Sequence, residues 1–181
     1  YGDDDYSVWN YDQNSLYDTL PMYQALAESK NTSAVWLLDK LGIQKGIAKL
    51  EDFGISIGEA DENLGAIALG GMSTGVSPVQ LASAYTTFVN EGVRTEARFI
   101  TKIVDATGAV IVDNTNPETN RVTTAAVAEE MTRMLMGVYA DGGTGASAQP
   151  SNGMVIAGKT GTTELDRETG YIKSQWMVGY T

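Results

Sequence analysis

The stretch that most constrains this chain is a short apolar run, Met154 to Ala157, followed by GKTGTT at residues 158–163. The run is too short for a helix and contains β-branched residues, which predicts a buried strand. The next six residues would then bring a lysine, three hydroxyl groups and two glycines to one strand end. Glycine lets another molecule approach the backbone, and lysine and hydroxyl groups donate hydrogen bonds to anions. The stretch predicts either an anion-binding strand end or a polar turn between strands.

Composition narrows the chemistry that the chain can perform. Its 181 residues include no histidine and no cysteine. This excludes disulfides, Ser-His-Asp and Cys-His catalysis, and zinc sites built from histidine or thiolate ligands. Acid–base chemistry within the sequence must come from lysine, carboxylates or tyrosine. The net charge of −11 argues against nucleic acid or an anionic membrane surface as a partner.

Hydrophobic periodicity predicts several helices. We expect them to begin near Pro21, to span residues 32–41 and 44–53, and to begin at Ser77 and at Thr123 or Thr124. The helix at Ser77 has the clearest start, because Ser77, Pro78 and Gln80 form a capping-box pattern. In the second helix, the apolar spacing predicts a buried face formed by Ala34, Leu37, Leu38 and Leu41.

The remaining segments are predicted to be strands and connections. Residues 99–113 have two β-branched runs around a turn, the pattern of a β-hairpin, and residues 175–181 are predicted to pair with the strand of Lys159. Residues 1–19, 58–76 and 115–121 are predicted to be irregular, the second around a short apolar piece, and 141–153 to be a loop with at most one helical turn. Helices mixed with antiparallel strands predict an α+β fold.

Residues 153–160 also fit GxxxxGK[ST], the pattern of a phosphate-binding P-loop. A P-loop requires a strand before its first glycine and a helix after the lysine. Here the variable positions are apolar and strand-like, and Gly161 with two β-branched threonines follows the Lys-Thr pair. The context therefore argues against a nucleotide-binding site, although the pattern keeps it as a remote alternative.

A second motif, Ser29-Lys30-Asn31, lies at the break between the first two predicted helices. Serine and asparagine also prefer helix ends, so the motif by itself is compatible with a capping role for Asn31. Its interest comes from its position, well upstream of Lys159-Thr160-Gly161 on a strand. The two motifs together are more specific than either one alone.

In this order the motifs resemble the S-D-N and K-T-G elements of the penicillin-binding protein transpeptidase family, which shares its fold with serine β-lactamases. Residues 25–35, 75–85, 143–145, 157–163 and 176–181 are similar to the family's flanking sequences, and the hairpin at 99–113 is most like that of its bifunctional class A subgroup. The resemblance implies an α+β domain with an antiparallel sheet flanked by helices and an all-helical part. It implies no cofactor and no metal.

The family's first element, S-x-x-K, is absent from these 181 residues. In the family it supplies the nucleophilic serine and its activating lysine. We therefore expect residues 1–181 to be the C-terminal portion of a transpeptidase domain, without that upstream segment and without the last strand and helix. Such a chain should be inactive by itself and should need the upstream segment as its partner.

The resemblance also implies roles for individual residues. Ser29 and Lys159 would be catalytic: Ser29 would relay a proton to the leaving nitrogen, and Lys159 would supply positive potential. The implied substrate-binding residues are Asn31, Thr160, Gly161, Thr162 and Thr163, with the Thr162 N–H as one oxyanion donor. Lys30 is expected to point into solvent.

The implied activity is D,D-transpeptidation of peptidoglycan stem peptides that end in D-Ala-D-Ala, with β-lactams as acylating inhibitors. The implied location is the extracellular face of the bacterial cytoplasmic membrane, with any anchor outside this chain. A D,D-carboxypeptidase or a serine β-lactamase has the same fold but fits the flanking sequences less well. A penicillin-binding-like domain that senses or interacts without turnover is the alternative from another functional class.

Overall fold

The computed structural model describes residues 7–12, 19–166 and 169–181. Within these residues the chain forms six α-helices and three two-stranded antiparallel ladders, which agrees with the predicted α+β class. The helices are α1 (Met22–Ala27), α2 (Asn31–Leu41), α3 (Ile43–Asp52), α4 (Leu64–Leu69), α5 (Pro78–Val89) and α6 (Ala125–Met136). The strands are β1 (Val93–Thr95), β2 (Lys102–Val104), β3 (Val110–Asp113), β4 (Thr119–Arg121), β5 (Ala157–Asp166) and β6 (Tyr171–Tyr180).

The predicted helices are found close to their expected bounds, but the buried face of α2 is shifted. Val35 and Leu38 are buried, whereas Leu37 and Leu41 are 43% and 47% exposed. The prediction for Leu37 and Leu41 was wrong because α2 packs on α3 and α4 through the neighbouring side of the helix. Helix α4, which Asn63 caps by accepting a hydrogen bond from the Ala66 N–H, occupies the apolar piece of the segment that was predicted to be mainly loops.

Helices α5 and α6 support strand β6. The predicted capping box is present, with Ser77 Oγ accepting from the Gln80 N–H at 3.2 Å and Gln80 Oε1 accepting from the Ser77 N–H at 2.9 Å. The aromatic rings of Tyr85 in α5 and Tyr180 in β6 lie 6.4 Å apart, and the Tyr180 hydroxyl hydrogen-bonds to Thr132 of α6 at 2.7 Å. These contacts fix the hairpin β5–β6 on the helical layer.

The ladder β2–β3 is the predicted hairpin at residues 99–113. Strand β4 was not predicted, because residues 115–121 are polar and resemble a connection. It pairs with β1, with Val93 opposite Arg121 and Thr95 opposite Thr119. Each of these strands has only three residues, and the two are distant in sequence. The local hydrophobic pattern of either strand therefore cannot indicate that they pair.

The opening prediction, a buried strand at Met154 to Ala157, was wrong in its position. Strand β5 begins at Ala157, and Met154 and Val155 are 47% and 55% exposed. Residues 158–163 therefore lie inside a ten-residue strand and not at its end, with Lys159 opposite Val178 and Gly161 opposite Trp176. This geometry excludes both the polar-turn interpretation and a P-loop, which would need loop and helix at these positions.

Residues 7–12 form no regular secondary structure, as predicted, and residues 1–6 and 13–18 of the predicted irregular segment lie outside the described residues. The turn at Ala146–Ala148 is the predicted short helical turn in the loop 141–153. In the described part of the chain, no helix is both long enough and apolar enough to cross a membrane.

Candidate active site

Ser29 lies in the turn that ends α1. Its N–H donates to the Leu26 carbonyl at 3.2 Å and the Lys30 N–H donates to the Ala25 carbonyl at 2.9 Å, which is the Schellman pattern of a helix end. Ser29 occupies the position where glycine is usual, with φ of 55°. A left-handed conformation costs a residue other than glycine about 1–2 kcal/mol. Such strain is concentrated at functional sites. In this conformation the Ser29 side chain lies within hydrogen-bond distance of Lys159.

The residues on either side of Ser29 form an ion pair. Lys30 Nζ lies 3.1 Å from Glu28 Oε2, and the Lys30 side chain is only 5% exposed. Hydrogen bonds from Gln24 and Lys30 hold the pKa of Glu28 below its usual value. The expectation that Lys30 points into solvent was therefore wrong. Its stem and ammonium group are buried against the protein, and this pairing braces the turn that presents Ser29.

Lys159 joins β5 to this turn. Its Nζ donates to Ser29 Oγ at 2.8 Å and to the Thr160 carbonyl at 2.9 Å. Burial lowers the pKa of Lys159 to about 8, because the charged form is less well solvated there than in water. The lysine is still largely protonated at neutral pH. The site therefore combines a positively charged lysine with a serine hydroxyl that accepts a hydrogen bond from it.

A loop that contains Gly143, Thr144 and Gly145 closes the same site from a third direction. The Thr144 and Thr160 hydroxyl oxygens lie 2.6 Å apart, and the Thr144 N–H donates to the Ala27 carbonyl at 3.1 Å. A Cβ atom at Gly143 would lie 2.3 Å from the Val138 carbonyl oxygen, so only glycine fits there. The motifs of the sequence did not single out Thr144 as a site residue, although the Gly-Thr-Gly triplet belonged to the resemblance.

Gly161 and Thr162 are exposed along β5, and Thr163 is partly buried. Thr160 and Thr162 are two residues apart, so their side chains share a face of the strand. Within the described residues β5 pairs with β6 along one edge, and its other edge has no partner strand. An unpaired edge with a glycine and two hydroxyl-bearing residues is suited to receive an extended peptide.

Asn31 is the first residue of α2, and its side chain makes a different contact. Its Nδ2 donates to the Trp9 carbonyl at 2.8 Å, while Asn10 Oδ1 accepts from the Thr32 N–H at 3.1 Å. The N-cap position of α2 is occupied by Lys30, so the capping role considered for Asn31 was wrong. The segment 7–12 docks on the helix start. The structure brings Ser29 to Lys159 and Thr144 to Thr160, but Asn31 contacts the preceding segment.

The comparison with protein families agrees with this arrangement. The model of the penicillin-binding protein transpeptidase domain matches residues 1–181, the whole chain. The chain belongs to the penicillin-binding protein transpeptidase family. The resemblance that the Ser29 and Lys159 motifs suggested is therefore confirmed.

Curated relatives within this family are class A penicillin-binding proteins. The chain is 42% identical over 178 residues to penicillin-binding protein 2a of Streptococcus pneumoniae, covering 98% of this chain and 24% of that protein. It is 41% identical over 178 residues to penicillin-binding protein 1F of Bacillus subtilis, with coverage of 98% and 24%. The chain thus spans about a quarter of the length of these relatives.

Solved transpeptidase structures have the same fold. The penicillin-binding protein PonA1 of Mycobacterium tuberculosis superposes with a TM-score of 0.72 at 27% identity, covering 93% of this chain and 46% of that one. The transpeptidase domain of a peptidoglycan glycosyltransferase from Eggerthella lenta gives a TM-score of 0.68 at 23% identity, with coverage of 88% and 45%. In the described part of this family member, acidic side chains form no cluster of three or more that would hold a metal ion.

Proposed function

We propose that the chain forms part of a serine D,D-transpeptidase that cross-links peptidoglycan stem peptides. The observation that carries this proposal is the 2.8 Å hydrogen bond from Lys159 to Ser29, two groups 130 residues apart in sequence. Membership of the transpeptidase family supplies the reaction class. The donor substrate is a stem peptide ending in D-Ala-D-Ala, and β-lactams act as mimics of that donor.

The reaction is a double acyl transfer. A serine hydroxyl attacks the carbonyl of the penultimate D-alanine, forming an ester as the peptide C–N bond breaks. The serine proton passes through the site to the leaving nitrogen, so the terminal D-alanine departs as an amine. An amine of a neighbouring stem then attacks the ester, forming the cross-link and returning a proton to the serine. A β-lactam opens by the first step but keeps its leaving group attached, so the acyl-enzyme persists.

Three of the proposed groups act on the reacting atoms. Ser29 relays the proton to the leaving nitrogen, because its hydroxyl can accept from Lys159 while it donates onward. Lys159 keeps the potential at this point positive. The Thr162 N–H is one donor to the carbonyl oxyanion, and loss of such a donor costs on the order of 3 kcal/mol in acyl-transfer enzymes.

The other proposed groups bind the substrate. Thr160 and Thr162 offer hydroxyl groups to the terminal carboxylate, and Gly161 leaves the strand edge open for the peptide backbone. Asn31 hydrogen-bonds a substrate amide; its Nδ2 has a second N–H besides the one directed at Trp9. Thr163 is a peripheral substrate contact.

We propose that the nucleophile is supplied by an S-x-x-K segment that precedes Tyr1 in the full-length protein, since none of the serines in these 181 residues has that spacing to a lysine. The protein would work on the extracellular face of the bacterial cytoplasmic membrane, where its substrate is found. An anchor for that location would lie outside these residues.

The full-length protein is the right material for the test. A fluorescent penicillin should label it at the serine of S-x-x-K, and Lys159→Ala should slow labelling strongly. Stem peptides ending in D-Ala-D-Ala should be converted to cross-linked dimers with release of D-alanine. Labelling without cross-linking in the presence of an acceptor amine would favour a sensor. Release of D-alanine without cross-linking would favour a carboxypeptidase. No labelling despite an intact S-x-x-K would refute the proposal that the protein is an enzyme.

A further inference from the structure

We infer that Thr144 is a positioning residue that orients the Thr160 hydroxyl toward the carboxylate of the substrate. The inference rests on the proposed function, and it assigns a role to a residue outside the three motifs. The contact that carries it is the 2.6 Å separation of the Thr144 and Thr160 hydroxyl oxygens.

Thr144 is held through its backbone N–H and its hydroxyl group. Its N–H donates to the Ala27 carbonyl at 3.1 Å, and its hydroxyl meets Thr160 on β5. Ala27 is the last residue of α1, two positions before Ser29. Thr144 therefore connects the strand that would bind the carboxylate with the helix end that presents Ser29. It forms a second bridge between these elements beside the Lys159–Ser29 hydrogen bond.

The surrounding backbone leaves Thr144 little freedom. A Cβ atom at Gly143 would lie 2.3 Å from the Val138 carbonyl oxygen. A Cβ atom at Gly145 would lie 3.0 Å from the Tyr139 ring. The Gly145 N–H also donates to the Val138 carbonyl at 2.8 Å. The loop can therefore lie this close to the turn after α6 only with glycine at position 143 and with little room at 145. This packing sets where the Thr144 hydroxyl points.

The number of protons explains why that orientation matters. Each threonine hydroxyl has one proton to donate and lone pairs that accept. If Thr160 donates to Thr144, Thr160 has no proton left for a carboxylate. If Thr144 donates to Thr160, the Thr160 proton is free to point at the anion, and the hydrogen bond to Thr160 makes its hydroxyl a better donor. A bound carboxylate favours the second arrangement, so Thr144 contributes to binding without touching the substrate.

The first experiment uses the full-length protein with Thr144→Val, which keeps the side-chain shape and removes the hydroxyl, and Thr144→Ser, which keeps the hydroxyl. The rate of acylation is measured at increasing concentrations of a penicillin and of its methyl ester. The concentration dependence gives the strength of binding, and the plateau gives the limiting rate of acylation. We expect the valine variant to bind the acid roughly threefold to tenfold more weakly, the range of one net hydrogen bond. Its limiting rate and its reaction with the ester should be unchanged, and the serine variant should resemble wild type.

Ser147→Ala is the matched control, since Ser147 is exposed in the same loop. It should behave as wild type with both compounds. Equal weakening with acid and ester, or loss of binding in both Thr144 variants, would overturn the inference because packing and not the hydroxyl would then be responsible. Unchanged binding of the acid by the valine variant would overturn it as well.

A second measurement does not depend on acylation. Melting temperatures of wild type, Thr144→Val, Thr160→Val and the double variant should be non-additive, with the double variant losing less than the sum of the single losses. Additive losses would overturn the coupling of the two hydroxyls. The two outcomes are independent. If the melting temperatures are non-additive but penicillin does not label the wild-type protein, the coupling of the two hydroxyls stands and the proposed function is refuted.

Discussion

Ser29 Oγ accepts a hydrogen bond from Lys159 Nζ at 2.8 Å, and this contact joins a strained helix end to the third residue of a ten-residue strand. The serine adopts φ of 55°, where glycine would be more stable, and the lysine is partly buried, where its charge is less well solvated than in water. Both partners are thus held in unfavourable states by the surrounding fold. This is the arrangement expected where stability is given up for a catalytic geometry.

The strain at Ser29 can be measured by comparing Ser29→Gly with Ser29→Ala. Both variants lose the hydroxyl and its bond to Lys159, so they differ only at Cβ. Left-handed backbone penalises alanine by about 1–2 kcal/mol, partly offset by the entropy of glycine in the unfolded chain. We expect the glycine variant to be more stable than the alanine variant by about 1 kcal/mol in denaturant unfolding.

Both Ser29 variants should lose acylation and cross-linking, because neither can relay a proton. A glycine variant no more stable than the alanine variant would show that Ser29 is not strained. Glu91, at φ of 50° in another turn, is the matched control. Glu91→Gly should also exceed Glu91→Ala in stability, but both should keep activity.

Local signals predicted much of the fold. Some elements depend on residues that are close together in sequence, so their patterns can be recognised from the sequence alone. These elements are the capping box at Ser77, the periodic helices and the β-branched hairpin at 99–113. Strand β4 was missed because its pairing with β1 depends on distant residues and not on its own polar sequence. The start of β5 was misplaced because Met154 and Val155 look like buried strand, yet both are exposed.

The site was predictable only in part, for the same reason. The motifs of Ser29 and Lys159 identified two walls, but no sequence spacing reveals that Lys30 is buried against Glu28. Thr144 could not be selected either, since its role depends on a hydroxyl contact made by folding. The nearest signal was its pair of flanking glycines, which indicates a backbone that approaches its neighbours closely.

Gly158 and Gly161 of β5 should differ in their tolerance of substitution by alanine. A Cβ at Gly158 would lie 2.2 Å from the Val178 carbonyl oxygen, so Gly158→Ala must displace the hairpin and lower stability by about 1–3 kcal/mol. A Cβ at Gly161 would meet only Trp176 Cβ at 3.7 Å, an ordinary contact. Gly161→Ala should therefore leave the melting temperature almost unchanged.

Activity should separate the same pair of variants. If substrate lies along the open edge of β5, a methyl group at 161 should slow acylation by penicillin although the protein is stable. Full activity in Gly161→Ala would argue against substrate at this edge. A large loss of stability in that variant would mean that the packing around Trp176 is tighter than the 3.7 Å contact indicates.

Tyr139, which is buried, and Tyr180, which is partly buried, provide a test of hydrogen bonding beneath the hairpin. Tyr139 is 3% exposed and its hydroxyl has no hydrogen-bond partner in the described residues, whereas the Tyr180 hydroxyl bonds to Thr132 at 2.7 Å. Removing an unsatisfied hydroxyl is close to neutral, while removing a satisfied one costs about 1 kcal/mol. Tyr139→Phe should therefore match or exceed wild type in urea unfolding, and Tyr180→Phe should be less stable. The reverse order would contradict these contacts.

Lys159 should give the protein a specific pH dependence. Burial lowers its pKa to about 8 from the ordinary 10.5, so between these values the unfolded chain binds more protons than the folded one. The contribution of Lys159 to the free energy of unfolding therefore rises with pH across that window. Below pH 8 the lysine is charged in both states, and the full cost of placing its charge in the folded protein is present. Relative to Lys159→Met, the wild type should become more stable as pH rises from 8 to 10.5.

The comparison uses the difference in unfolding free energy between wild type and variant at each pH, so that titration of other groups cancels. Lys159→Arg is the control, because an arginine stays charged throughout this range and should show no such change relative to Lys159→Met. The same titration should weaken the binding of a carboxylate-bearing penicillin above about pH 8, but not that of its methyl ester. A difference between wild type and Lys159→Met that stays constant from pH 7 to 10.5 would mean that Lys159 is better solvated than its position beside Ser29 indicates.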